Sequence, residues 1–149
     1  MGKIVMANDV MADLIEEAVN KGETVRLRVQ GNSMFPFLRN GKDVVEIRKV
    51  RGEEVRRGDV ILFRYSSSFI LHRVVRRNGA VVKTQGDGVW NFFETIAANQ
   101  IIGVARLVVR ENGKMVKLDS MGWIVLANFW ISLRFLRRYL LFVLYKVRR

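Results

Sequence analysis

The sequence predicts a mainly β chain: a small coiled antiparallel sheet or partly open barrel, with an N-terminal helix and a C-terminal amphipathic helix. Three observations predict it. Short runs of alternating or continuous apolar residues recur from Val25 to Leu118. Two Asn-Gly pairs, Asn78-Gly79 and Asn112-Gly113, lie between such runs, where they favour two-residue hairpins. Helical periodicity is confined to the two ends, so the strands must pair with one another rather than alternate with helices.

Taken in order, Asn8 or Asp9 caps a helix whose apolar positions Val10, Leu14, Ile15 and Val19 recur at helical spacing, and Lys21-Gly22 ends it. The stretch TVRLRVQG then alternates, placing Val25, Leu27 and Val29 on one face of a strand that leads into GNSMFPFL, residues 31–38. Further strands are expected at Val44 to Val50, Val60 to Tyr65, Phe69 to Arg76, Ala80 to Thr84, Ile101 to Arg110 and Lys114 to Leu118. The chain of 149 residues suffices for one domain with a sizeable core but is short for two. Its expected organisation is an N-terminal helix over residues 1–22, a β domain over 23–120 and a basic apolar helical tail over 121–149.

Composition narrows the chemistry. Cysteine is absent and His72 is the single histidine, which removes thiol catalysis, disulfide scaffolding and nearly every zinc site with nitrogen or sulfur ligands. No metal and no cofactor is expected. The net charge of +12 points to an anionic partner, and its distribution matters more than its total. From Met121 onward stand Arg134, Arg137, Arg138, Lys146, Arg148 and Arg149 without a single acid.

That tail requires a membrane decision. Its thirteen Leu, Ile, Phe and Val residues between Met121 and Tyr145 favour insertion by roughly 4 to 8 kcal/mol, whereas three central arginines oppose it by roughly 7 to 10. A helix lying in the interface is the expectation, its arginines snorkelling to phosphates and Trp123 and Trp130 at headgroup depth. The plainer alternative is a helix packed on the domain or on another subunit. Tail arginines favour the cytoplasmic face of a membrane. The N-terminal segment carries Asp9, Asp13, Glu16 and Glu17 and has no apolar run of signal-peptide length, so no cleaved signal is expected. Gly2 is followed by Met6 where a myristoylation site wants Ser or Thr.

A serine hydroxyl attacks a carbonyl only when a base takes its proton and donors stabilise the oxyanion. Ser33 and His72 are the candidates. Alternation in SFILHRVV puts Ile70, His72 and Val74 on one strand face and Leu71, Arg73 and Val75 on the other. An imidazole, with a reference pKa near 6.5, accepts a proton at neutral pH without heavy burial, so activity carried by it should fall below about pH 6.5. Singly, each residue fits a plainer role: Ser33 in a Gly-Asn-Ser turn, His72 as a half-buried strand residue. Lys83 is an alternative base of lower rank.

Five blocks in register change the balance: GNSMFPFLRNGKDVVEI, VRRGDVILFR, LHRVVRR, KTQGD and IIGVARLVV. In this order and spacing they resemble the signal peptidase I and LexA superfamily of serine peptidases, over roughly Val25 to Val109. The resemblance implies a LexA/signal peptidase-like fold with Ser33 as nucleophile. It implies His72 as general base, as in the archaeal, endoplasmic-reticulum and sporulation-type branch, and places Asp87 of the Gly-Asp motif near the active site, where it could orient the imidazole. Lys83 matches no lysine of the family blocks. Family specificity implies an extended peptide substrate beside an edge strand, with Met34, Phe35 and Pro36 near its side chains.

Three departures bear on the transfer. The second acid of the endoplasmic-reticulum branch would fall at Phe93, with Glu94 beside it, which leaves the third member open between Asp87, Glu94 and a plain dyad. Gly31 stands where many signal peptidases place an oxyanion-donating serine, so the Ser33 amide must carry more of that task. The usual N-terminal anchor is missing from the chain, and the tail is a candidate substitute. The expected function is signal peptidase-like cleavage of a peptide or protein substrate, membrane-associated through the tail. The alternatives are an inactive peptidase-fold membrane adaptor and a basic β-barrel that binds nucleic acid through Arg26, Arg28, Arg48, Lys49, Arg73, Arg76 and Arg77. Nucleic acid is not the expected partner, because the strands lack regular aromatic interleaving. No oligomeric state is specified by the sequence.

Overall fold

Alternating side chains from Val25 onward build an eight-stranded antiparallel sheet in a computed structural model that describes residues 9–148. The Asn8 cap candidate, the Gly2 and Met6 positions and Arg149 lie outside the described residues. The elements run α1 (Asp9–Asn20), β1 (Val25–Arg28), β2 (Val44–Arg48), β3 (Val60–Tyr65), β4 (Ser68–Asn78), β5 (Val81–Gln85), β6 (Glu94–Ala97), β7 (Ile101–Val109), β8 (Met115–Lys117), α2 (Met121–Ser132) and α3 (Arg137–Val147). The sheet order is β1-β2-β7-β3-β4-β5-β6, with β8 added beside β7. The mainly β antiparallel class expected from the sequence is therefore the observed one.

Both faces of the central strands β3 and β4 are buried, as their nearly continuous apolar runs require, whereas β1 and β6 alternate with exposed residues. Leu62, Phe69 and Leu71 turn to one face, where Ala12, Ile15 and Val19 of α1 cover them together with Val45 and Ile47. Ile61, Phe63, Ile70, Val74, Val82 and Ile96 turn to the other. α1 packs through the Ala12, Ile15 and Val19 stripe, and Val10 and Leu14 are exposed, contrary to the expected apolar face. Gly22, at φ +86°, ends α1: its N–H donates to Val19 O and that of Glu23 to Ala18 O, the paired bonds of a left-handed helix cap.

Two local differences matter for function. At the β4–β5 hairpin Asn78 pairs with Val81, so the two turn residues are Gly79 (φ +58°) and Ala80. β6 was not expected at all: ETIA is four residues of alternating burial at the sheet edge, too short to stand out by periodicity. The tail is two helices rather than one. Phe35, Trp130 and Leu141 form a third apolar cluster, which requires both α2 and α3 to return to the domain. Trp130 and Arg137 are buried, so they are not available at headgroup depth or for snorkelling. Trp123 likewise packs on the α1 side of the core. Among the described residues no helix is long and apolar enough to cross a membrane.

Asp43 anchors the loop that follows residues 31–38. It is fully buried, accepts the Arg39 N–H at 2.8 Å and ion-pairs with Arg39 and Arg110. Burial alone pushes its carboxyl up, but the bonds from Arg39 and then Arg110 outweigh that and hold it below the usual carboxylate range. Its folded-state pKa is depressed, so its contribution is present above the unfolded value and lost as pH falls through the folded one. Asp43→Asn should cost about 2–3 kcal/mol at neutral pH, moderated because Arg39 stays half-exposed. Urea midpoints of the two chains should converge below about pH 4.

Candidate active site

Residues 32–38 form a tight turn: the Phe35 N–H donates to Asn32 O and the Leu38 N–H to Met34 O. The turn is pinned from two sides. Met34 and Leu38 enter the α1-side core, while Phe35 packs against Trp130 and Leu141 and stacks on Tyr145 at 4.7 Å. Ser33, between them, is buried and lines a cavity of about 390 Å³. Met34, Phe35 and Pro36, expected beside the substrate, do not line this cavity; the Met34 and Phe35 side chains serve the packing that holds the turn.

The segment Gly86-Asp87-Gly88 lies directly on that turn, with the Gly88 N–H donating to Ser33 O at 2.8 Å. A Cβ on Gly88 would stand 2.6 Å from Asn32 O, and one on Gly86 would stand 2.4 Å from Ser33 O and 3.0 Å from His72 Nε2. Glycine is required at both positions for the backbones to approach. The same geometry shows that His72 Nε2 and the Ser33 main chain flank one point.

Strand register explains what surrounds the imidazole. His72 and Val74 share a face of β4; Val74 is opposite Thr84 in β5, and Thr84 is opposite Glu94 in β6. Glu94 is thereby carried across two strand pairings to the His72 face. Its Oε1 lies 3.0 Å from His72 Nδ1, and its Oε2 accepts a hydrogen bond from Thr84 Oγ1 at 2.8 Å. All three side chains are buried. Ser33, His72 and Glu94 line the same cavity, together with Tyr65, Ile70, Val89 and Phe92 and the Ser66–Ser68 turn.

Asp87 belongs to the opposite face. Arg73, one residue beyond His72, turns away from it, and its Nε and Nη2 donate to the two Asp87 oxygens at 2.7 and 2.6 Å. Both side chains are buried, and Arg73 Nη1 also donates to Gly58 O. The carboxylate beside His72 is thus Glu94 and not Asp87. Arg73 is likewise unavailable as a phosphate contact, and Arg26 and Arg48 share Glu46. Lys83 is exposed on the other side of β5 from Thr84 and does not line the Ser33 cavity.

The tail closes over this segment. Trp130 Nε1 donates to Asp87 O at 3.2 Å, and Arg137 bonds Gln85 Oε1 and donates to Trp130 O at 3.1 Å. Burial lowers the Arg137 pKa, the Arg73 charge lowers it further and that of Asp87 opposes the change. Among the described residues no cluster of His, Asp and Glu could hold a metal ion.

The arrangement supplies a hydroxyl, an imidazole and a carboxylate at one cavity, with two glycines that let the hydroxyl-bearing turn approach the imidazole. Glu94, one of the three possibilities the sequence leaves open beside Asp87 and a plain dyad, has one signal there: it is the acid next to Phe93. Residues 3–85, more than half of the chain, match the family model described as Peptidase S24-like. No curated protein matched the chain.

Proposed function

Because the chain belongs to the Peptidase S24-like family, within the LexA/signal peptidase-like superfamily, we propose that it is a serine endopeptidase of the serine-histidine kind. Ser33 is the nucleophile, His72 the general base and Glu94 the group that orients the imidazole. One observation carries this reading: Ser33, His72 and Glu94 line one cavity, with His72 Nδ1 3.0 Å from Glu94 Oε1.

The chemistry follows from the two ring nitrogens. Glu94 faces Nδ1, so it favours the tautomer whose Nδ1 carries the proton and whose Nε2 is free to accept one. Nε2 takes the Ser33 proton as Oγ attacks the peptide carbonyl, and the Ser33 main-chain amide serves the oxyanion. The imidazolium returns that proton to the leaving amine. Water then hydrolyses the ester on Ser33 with His72 again as base. Thr84 holds the second Glu94 oxygen, which keeps the carboxylate in place throughout.

The cavity supports an uncharged side chain on the substrate. Tyr65, Ile70, Val89 and Phe92 supply apolar walls, and no lysine or arginine lines it. β6, which carries Glu94, is the terminal strand of the sheet order, and an extended peptide laid beside a strand edge brings its main chain to such a cavity.

A fluorophosphonate, which phosphonylates an activated serine, tests the reading. An adduct confined to the Ser33 peptide by mass spectrometry is expected, together with its loss in His72→Ala. An adduct formed equally well without the imidazole, or a peptide library left uncut by wild type, would favour the inactive adaptor.

A further inference from the structure

The sheet and the tail enclose a second cavity of about 580 Å³ on the side away from Ser33. Arg57, Arg76, Arg77, Lys83 and Arg134 line it, and no carboxylate does. Among the described residues none of these five cations forms an ion pair with an acid. Arg76 and Lys83 are direct cross-strand partners on β4 and β5, a like-charge pairing that raises the energy of the empty sheet. Arg77 is held in place by the carbonyls of Gly52 and Val55. A fixed concave group of cations without a counter-charge gains energy by taking an anion.

The tail indicates which anion. Arg134 leads from the cavity rim to Phe135, which is 79% exposed, and Tyr139, Phe142, Val143 and Lys146 fall on one exposed face of α3 at i, i+3, i+4 and i+7. No acid occurs from Ser120 to the C-terminus. A second copy of this chain on the same face would therefore set cations against cations. Nucleic acid would satisfy the cations and leave the apolar face in water. A bilayer surface with anionic headgroups satisfies both. α2, at 12 residues, is about 18 Å long against a hydrocarbon core of about 30 Å, so it is too short to cross such a bilayer.

We propose that this face docks on an anionic lipid surface, with a headgroup phosphate among Arg76, Lys83 and Arg134 and the exposed aromatics of α3 in the interface. The full chain should sediment with phosphatidylcholine vesicles containing phosphatidylglycerol, weakly or not at all with phosphatidylcholine alone, and less as salt rises. Arg76→Ser with Lys83→Ser should weaken that binding by about fivefold per cation. Their unfolding midpoint should not fall, since the like-charge pair is gone. Phe135→Ser with Phe142→Ser should weaken binding by about tenfold or more. Vesicle binding unchanged by either pair would overturn the proposal. So would full competition by free glycerophosphate, which would mark a phosphate site without a lipid surface, or tighter binding to a single-stranded oligonucleotide than to vesicles. Ser33→Ala should bind vesicles like wild type, so this outcome is separate from that of the peptidase reading.

Discussion

Ser33→Ala is expected to lose peptide cleavage by about 10⁶-fold, His72→Ala to lose nearly as much, and the double variant to be no worse than either. In the proposed mechanism Ser33 and His72 act as one unit: without the imidazole the hydroxyl keeps its proton, and without the hydroxyl the imidazole has nothing to activate. Glu94→Gln should cost less, about 10⁴-fold in kcat, because it keeps the shape of the site but no longer favours the required tautomer or the imidazolium. Single-turnover cleavage of a peptide drawn from a library measures all four, and urea unfolding checks that each variant remains folded. Unchanged turnover in Glu94→Gln would reduce the site to a dyad.

Asp87→Ala should produce the opposite signature, a large loss of stability. It strips both carboxylate bonds from Arg73, a guanidinium with no exposure to solvent, and leaves that charge buried with the Gly58 carbonyl and the Phe37 ring but no counter-ion. Breaking such a pair costs about 3–5 kcal/mol, a large part of the 5–15 kcal/mol that holds a typical domain together. Replacing both partners, Arg73→Met with Asp87→Leu, should recover much of the loss, because no lone buried charge remains. Urea midpoints of the single and double variants measure the coupling. An Asp87→Ala chain as stable as wild type, but slow in turnover, would return Asp87 to the catalytic role that the Gly-Asp motif suggested.

The contrast between these carboxylates shows how far the residues were legible in one dimension. Ser33 and His72 stand out by residue type and by the blocks around them, and strand alternation correctly separates His72 from Arg73. Glu94 does not stand out, because what brings it to His72 is a register: Val74 to Thr84 to Glu94 across β4, β5 and β6. That chain of pairings passes through a bulge between Val74 and Arg76 and ends on a four-residue edge strand. Neither feature leaves a periodic signal. The residues after Ser33 are hard to place for a related reason. Met34 and Phe35 are apolar residues beside a hydroxyl, and only packing shows that they enter two different cores.

What local chemistry dictates could be read without coordinates: antiparallel strands from period-2 alternation, turns at glycines such as Gly22 and Gly79, and a reaction class limited to the hydroxyl, carboxylate, amine and one imidazole present. Long-range pairing decided the rest. It set Glu94 rather than Asp87 beside His72, buried Arg73 against Asp87 and Arg137 against Gln85, and folded one apolar tail into two helices that hold the Asp87 segment. The physical reason is that a buried charge is tolerable only where a distant backbone or carboxylate meets it, and sequence distance carries no record of which one does.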